Sequence, residues 1–444
     1  MSDTVLSRFK GCTDINAIRD TITVNPPPVA GLIRLDKFIA GAVFRDALEK
    51  IFVPTQFTLE FIQEMVGRSE LYCRRMFGSN LSYKKNLYSE SADGVMPICL
   101  TGLAGIGKSQ TIAALFKVMP QPTDLCSDHF VEPVPIISHW FASARGKAGG
   151  KQLLMDFLDI SSAKNLNQAK LLVECRKRAN KLAVALVTLD EIQHMSTGDG
   201  AAKLTEVLLT LAKLGLPMIY VSNYSSGHKL MGRNSEDRHR LLTNPRLMPS
   251  DAPEDAAWQE YVNECVRVSN GLLDNIESRQ LAYELWRLSF GVKRLAVQIL
   301  ELAYVEARSA RRSGITINDL DQAYVSTAYT ASRQEVEELN LIAAGQKSPR
   351  KDLVCPFELP PQARTNVVSI SAERDHRVQT TVLNSVMTKE EKEAVEALRD
   401  EIPGLARTPP KPKRQPPISK PSAEELAQKH LQFKLTPEPR TPRK

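Results

Sequence analysis

The sequence predicts an α/β fold: a parallel sheet flanked by helices, followed by a helical subdomain. Three observations predict it. From about residue 90 the apolar runs VMPICLT, VPIISHW, LAVALVTL and MIYVSN alternate with helical patterns such as TEVLLTLAKLG, which Gly215 and Pro217 stop. Runs this short and this apolar read as buried strands, and strands separated by helices pair in parallel. The stretch GLAGIGKS, Gly102 to Ser109, falls between the first run and a helical pattern. From about Trp258 to Ala328 strand signals vanish and a helical subdomain follows.

These readings divide the chain into 1–89, 90–255, 256–335 and 336–444. In the first segment LDKFIAGAVFRDALEKIFVP precedes TLEFIQEMVGRSELYCRRMF, where Leu59, Ile62, Met65 and Val66 fall at helical spacing. The prolines 26–28 make the chain before them an expected extended arm. Nothing in 1–89 has the spacing of a catalytic site, so packing or partner recognition is the expectation.

The last segment is compositionally distinct. From Pro349 onward lie 14 of the 27 prolines, and such a segment buries too little apolar surface to offset its chain entropy, so a largely disordered tail is expected. Two islands, TKEEKEAVEALRDEI and SAEELAQKHLQFKL, place Thr388 three residues before Glu391 and Ser422 three before Glu425. That is capping-box spacing; the islands read as docking motifs that fold on a partner, or as transient helices with no role. Most of the net charge of +7 also resides here, since residues 345–444 carry 19 Lys and Arg against 13 Asp and Glu, a surplus of six. A basic tail suits nucleic acid or an acidic partner, and suits equally a segment that is merely soluble.

Several classes are set aside on composition. No run approaches the roughly 20 apolar residues that span a bilayer, and the N-terminus lacks a basic-then-apolar leader, so a cytoplasmic protein without a membrane partner is expected. The seven cysteines are scattered, odd in number and without a C-x-x-C pair, which argues against a disulfide framework and a zinc site.

The chemistry-bearing residues fall at strand ends. GLAGIGKS satisfies G-x-x-x-x-G-K-[ST] in the strand-to-helix context that the pattern requires. Its glycines let backbone N–H groups cradle phosphates at a helix N-terminus. The candidate nucleotide-binding residues are Gly102, Gly105, Ile106, Gly107, Lys108, Ser109 and Gln110, with Lys108 on the β- and γ-phosphates and Ser109 as a Mg²⁺ ligand. The strand LAVALVTL delivers Asp190 and Glu191 at its C-terminal edge, where α/β sheets bind ligands. Asp190 is the second candidate Mg²⁺ residue, and Glu191 the candidate base for an attacking water. Asn223, at the end of MIYVSN, reads either as a polar group reaching the same γ-phosphate or as a turn-former. Gly291-x-x-Arg294 opens a helix, and Arg294 reads as a phosphate contact or as a solvated arginine. In FASARGKAGGKQLLMDFL, Arg145, Lys147 and Lys151 are spaced by small residues; they suit contact with a nucleic-acid backbone, or form a solvated loop.

The phosphate loop, the Asp190-Glu191 strand, Asn223 and Gly291-x-x-Arg294 together resemble the AAA+ ATPases over roughly residues 90–330. The resemblance implies a five-stranded parallel core, a C-terminal helical lid, ATP and Mg²⁺ as cofactors, and a nucleotide held between subunits of a ring or spiral. It also implies an arginine finger from the neighbouring subunit. Arg233, Arg238, Arg240 and Arg246 lie in the segment where the family places it, and Arg240 is favoured. FVPTQFTLEFI, the GLAGIGKS and LDEIQHM pair, RLLTNPRLMP followed by WQEYV, and GVKRLAVQILELAYVEA with ITINDLDQAY are similar to the bacterial transposition-regulator ATPases of the TnsC and TniB type, distant relatives of the Mu target-selection ATPase. That likeness implies a homo-oligomer, such as a hexamer, heptamer or filament, on double-stranded DNA with little sequence preference. Its implied partners are a target-selector protein and a transposase. A helicase loader or replication initiator is the alternative with the same chemistry; an ATP-binding scaffold or signalling switch with little turnover is the alternative from another class.

Overall fold

The computed structural model describes residues 2–89, 93–126, 129–147, 149–161, 167–196 and 200–357. All belong to one compact unit. Both capping-box islands, and nearly all of the proline-rich tail, lie outside the described residues.

Five strands form the central sheet: β1 (Ile98–Gly102), β4 (His139–Ser143), β5 (Leu186–Asp190), β6 (Met218–Asn223) and β7 (Asn244–Leu247). Their order is β4-β5-β6-β1-β7, every pair parallel. β1 and β5 are buried at every residue, which is why their sequences run apolar without alternation. Register aligns the strand ends: Gly102 pairs with Asn223, and Ser143 with Asp190. The chemistry-bearing residues therefore emerge on one edge.

VPIISHW is not one strand. Its first half, β3 (Val134–Ile136), pairs antiparallel with β2 (Thr123–Leu125) in a separate two-stranded ribbon. Pro135 has no N–H to donate and suits a short ribbon better than a central strand; the sheet strand starts at His139.

The N-terminal helices are α1 (Ser2–Ser7), α2 (Ile15–Ile22), α3 (Lys37–Leu48), α4 (Gln56–Phe77) and α5 (Asn80–Leu87). The segment before Pro26 is thus helical and packed, not an extended arm. Asp14 caps α2 by accepting from Asn16 N, Ile18 and Ile22 are buried, and Arg8 Nη2 donates to Ala183 O at 2.6 Å. The prolines extend the chain only after these helices, where Pro26 O accepts from Arg267 and Val29 N donates to Val268 O. In α4, Leu59, Ile62, Met65 and Val66 are buried, each contributing about 1.5–3 kcal/mol.

Around the sheet lie α6 (Lys108–Val118), α7 (Gly150–Phe157), α8 (Gln168–Lys181), α9 (Gly200–Ala212), α10 (Tyr224–Met231) and α11 (Ser235–Leu242). The lid follows as α12 (Ala256–Ser269), α13 (Ser278–Ser289), α14 (Lys293–Ser309), α15 (Ile317–Val325) and α16 (Thr330–Ala343). α14 packs against α13 and α15, and also against α3, with Phe44 meeting Tyr304 edge-on at 5.6 Å. The N-terminal segment thereby joins two bodies, α4 packing on α6 of the core and α3 on the lid. The architecture is the predicted one: a five-stranded parallel core around the glycine-rich loop, with a helical lid after it. All seven cysteines are free. No described helix is long and apolar enough to cross a membrane.

Candidate nucleotide-binding site

A cavity of about 430 Å³ opens at the C-terminal edge of β1, β5 and β6. From the loop, Gly105, Gly107, Lys108, Ser109 and Gln110 line it; Gly102 and Ile106 do not, Ile106 being buried. Asp190, Glu191, Asn223 and Arg294 line it too. The four motifs, dispersed over nearly 200 positions of sequence, converge on one space.

The loop's backbone explains its glycines. Gly105 has φ +84°, and a β-carbon there would stand 2.8 Å from Arg294 Nε. Only glycine combines this left-handed backbone with so close an arginine. α6 then starts at Lys108, so its first amides face the cavity with the positive end of the helix dipole.

Lys108 is buried, and its Nζ donates to Gly102 O at 2.9 Å and Leu103 O at 2.6 Å. Burial brings its pKa down to about 8; Asp190 pulls it up and Arg294 pushes it down. The ammonium is therefore poorly compensated, which favours an anion beside it.

β5 ends in Asp190, whose Oδ1 accepts from Glu191 N at 2.6 Å. Glu191 itself has φ +57°, a left-handed backbone uncommon outside glycine that turns its side chain away from the strand line. Its Oε2 accepts from Ser143 Oγ at 2.8 Å, and the same Oγ accepts from Arg145 N at 3.2 Å. Asn223 is the N-cap of α10, yet its side chain makes no cap bond and faces the cavity.

Arg294 comes from the lid. Its backbone N donates to Gly105 O at 3.3 Å, and its Nη2 lies 4.0 Å from Glu335 Oε2. The preceding turn needs Gly291: φ is +68°, and a β-carbon would fall 2.3 Å from Asp251 O, which also accepts from Trp286 Nε1 at 2.8 Å. Glycine and arginine thus share one motif because the turn that only glycine fits aims the arginine at the loop.

The rest of the cavity escaped sequence reasoning. Leu48, Glu49 and Ile51 from the N-terminal segment, with Tyr261, Lys293 and Val297 from the lid, form much of its remaining wall. Gln110 Nε2 donates to Glu49 O at 3.4 Å, tying loop to wall. The apolar members suit a planar base. Ser109 and Asp190 both line the cavity and carry oxygen ligands, the chemistry Mg²⁺ takes, with most of its shell left for water and phosphate.

The structure keeps the remaining candidates apart from this cavity. Arg240 is exposed on α11 and pairs with Glu236 at 2.9 Å; Arg233 pairs with Asp237, and Arg246 is held by Glu64 through two bonds of 2.6 and 2.8 Å. Arg238 is exposed. Arg145 is exposed just beyond β4, Lys147 pairs with Asp156 at 2.6 Å, and Lys151 is exposed on α7. Ala148, between them, lies outside the described residues.

No family model and no curated protein matches the chain. Solved structures do. The Aeropyrum pernix ORC2 protein in its ADP form is 14% identical, with a TM-score of 0.42 over 74% of this chain and 89% of that one. The Aeropyrum pernix ORC1 protein in complex with DNA is 13% identical, with a TM-score of 0.41 over 68% and 72%. The Thermotoga maritima RuvB Holliday junction branch migration motor is 12% identical, with a TM-score of 0.29 over 63% and 73%.

Proposed function

We propose that this chain is an AAA+ ATPase that works as an oligomer on duplex DNA. One observation carries the reading: Lys108, Asp190, Glu191, Asn223 and Arg294 line a single cavity at the mouth of a glycine-rich loop. The loop amides and Lys108 bind the phosphates of ATP. Ser109 and Asp190 would hold Mg²⁺, which would neutralise charge on the triphosphate. Glu191 takes a proton from the attacking water, Asn223 orients that water, and Arg294 contacts the γ-phosphate. Arg240, exposed on the core, acts on the neighbouring subunit's ATP.

Arg145, Lys147 and Lys151 follow β4, and their backbone begins at the serine that holds Glu191. DNA phosphates against this loop stand one residue contact away from the catalytic carboxylate. The motif resemblance supports a narrower role, a transposition regulator that links target-site selection to transposase recruitment, with hydrolysis resetting the complex. The test is ATP turnover and duplex-DNA gel shifts with and without ATP, followed by capture of partners. Binding of duplex DNA only with ATP, and capture of an integrase-type transposase, support the reading. Absent turnover in the presence of magnesium and DNA contradicts the ATPase role. Capture of a replicative helicase puts the same motor in helicase loading.

A further inference from the structure

Residues 345–357 leave α16 through Gly345 and end against the core helix α10, outside the cavity lining. Val354 O accepts a hydrogen bond from His228 Nε2 at 2.8 Å, and Cys355 and Phe357 pack, partly buried, against the core. Leu353 is buried. Pro356 lies so close to Gly227 that a β-carbon there would stand 2.7 Å from the proline Cγ. The helix beneath this strap is α10, which starts directly after Asn223.

The strap's other end meets the lid's contribution to the cavity. Glu335 on α16 lies 4.0 Å from Arg294 Nη2. Arg350, bound to Asp352 at 2.6 Å, also acts on Glu335. Burial pushes the Glu335 carboxyl up, while Arg294 and Arg350 hold it down. Glu335 thus faces the cavity's arginine from α16, the helix that the strap leaves.

We propose that residues 345–357 are a latch between lid and core, which holds Asn223 in register with Arg294 and so sets the rate of ATP turnover. A γ-phosphate competes with Glu335 for Arg294. Because the strap is seated on α10, the lid cannot swing without loading the helix that carries Asn223. The proposal rests on the ATPase reading above.

Gly227 lies within α10, where alanine is the better helix former, so Gly227→Ala acts by expelling Pro356. Adding Pro356→Ala removes the clashing Cγ and leaves Cβ at an ordinary 3.7 Å. In the full chain, three quantities are measured for wild type, G227A and G227A/P356A: trypsin cleavage at Lys347, Arg350 and Lys351, ATP affinity, and kcat. G227A is expected to speed strap cleavage and lower kcat about tenfold, the scale of a misplaced positioning group, with affinity within about twofold. The double variant is expected to restore both. G227A with faster cleavage and wild-type kcat overturns the latch alone, as does a double variant that regains protection without regaining kcat. A wild-type chain without turnover overturns the ATPase reading and the latch with it.

Discussion

Ser143 holds Glu191: the hydroxyl at the end of β4 donates a 2.8 Å hydrogen bond to Glu191 Oε2 at the end of β5. The bond keeps the carboxylate on the β4 side. Ser143→Ala is therefore expected to raise basal ATP turnover severalfold and to blunt any stimulation by DNA, since hydrogen bonds to charged groups contribute about 1.5–3 kcal/mol. A steady-state assay with and without duplex DNA checks it. Turnover falling to the level of a Glu191 variant would mean that the serine places Glu191 productively instead.

Lys108 gives a pH signature. With its pKa brought down to about 8 in the free protein, its burial costs stability below that pH; the cost shrinks as pH rises toward the unfolded value and the unfolded chain alone stays protonated. Phosphates raise the lysine's pKa, so ATP binding takes up a proton above about 8. Affinity should be flat below pH 8 and fall about tenfold per unit above it. Titration calorimetry of wild type and Lys108→Ala checks this: the variant loses most of the affinity and the pH dependence together.

Gly291 is the lid's hinge to the loop. Gly291→Ala places a β-carbon 2.3 Å from Asp251 O at φ +68°, costing about 1–2 kcal/mol for the backbone alone. A lowered denaturation midpoint together with weakened ATP binding is expected, because Arg294 follows three residues later. Lost stability with unchanged nucleotide affinity would separate the turn from the site.

Arg240 is exposed and pairs with Glu236 on its own helix. If it completes a neighbour's site, Arg240→Ala and Glu191→Gln chains should each be inactive alone. Mixed, they should recover a measurable fraction of wild-type turnover, because some interfaces combine intact residues from both. No recovery at any ratio would remove Arg240 from that role.

The central site was legible because its chemistry lies in short local motifs. GLAGIGKS, Asp190-Glu191 and Asn223 each sit where a buried strand ends, and parallel register alone brings strand ends together. Gly291-x-x-Arg294 was legible for a similar reason, a turn and a helix start in four residues. Leu48, Ile51, Tyr261 and Val297 were not, because an apolar residue that walls a cavity has the same spacing as one that fills a core. Ser143 was hidden too: its role depends on β4 pairing with β5 across 47 intervening positions. The split of VPIISHW was signalled by Pro135, and the packed N-terminus by Asp14 before INAIRDTI, a cap whose meaning the prolines downstream obscured.

The most direct measurement is ATP binding and ATP turnover on the same preparations of wild type and Glu191→Gln, with magnesium. Binding should be retained by the variant, while turnover falls by at least about a hundredfold, the scale of a lost general base. Equal turnover in the two proteins would contradict the assignment of Glu191, and absent ATP binding in the wild type would contradict the site itself.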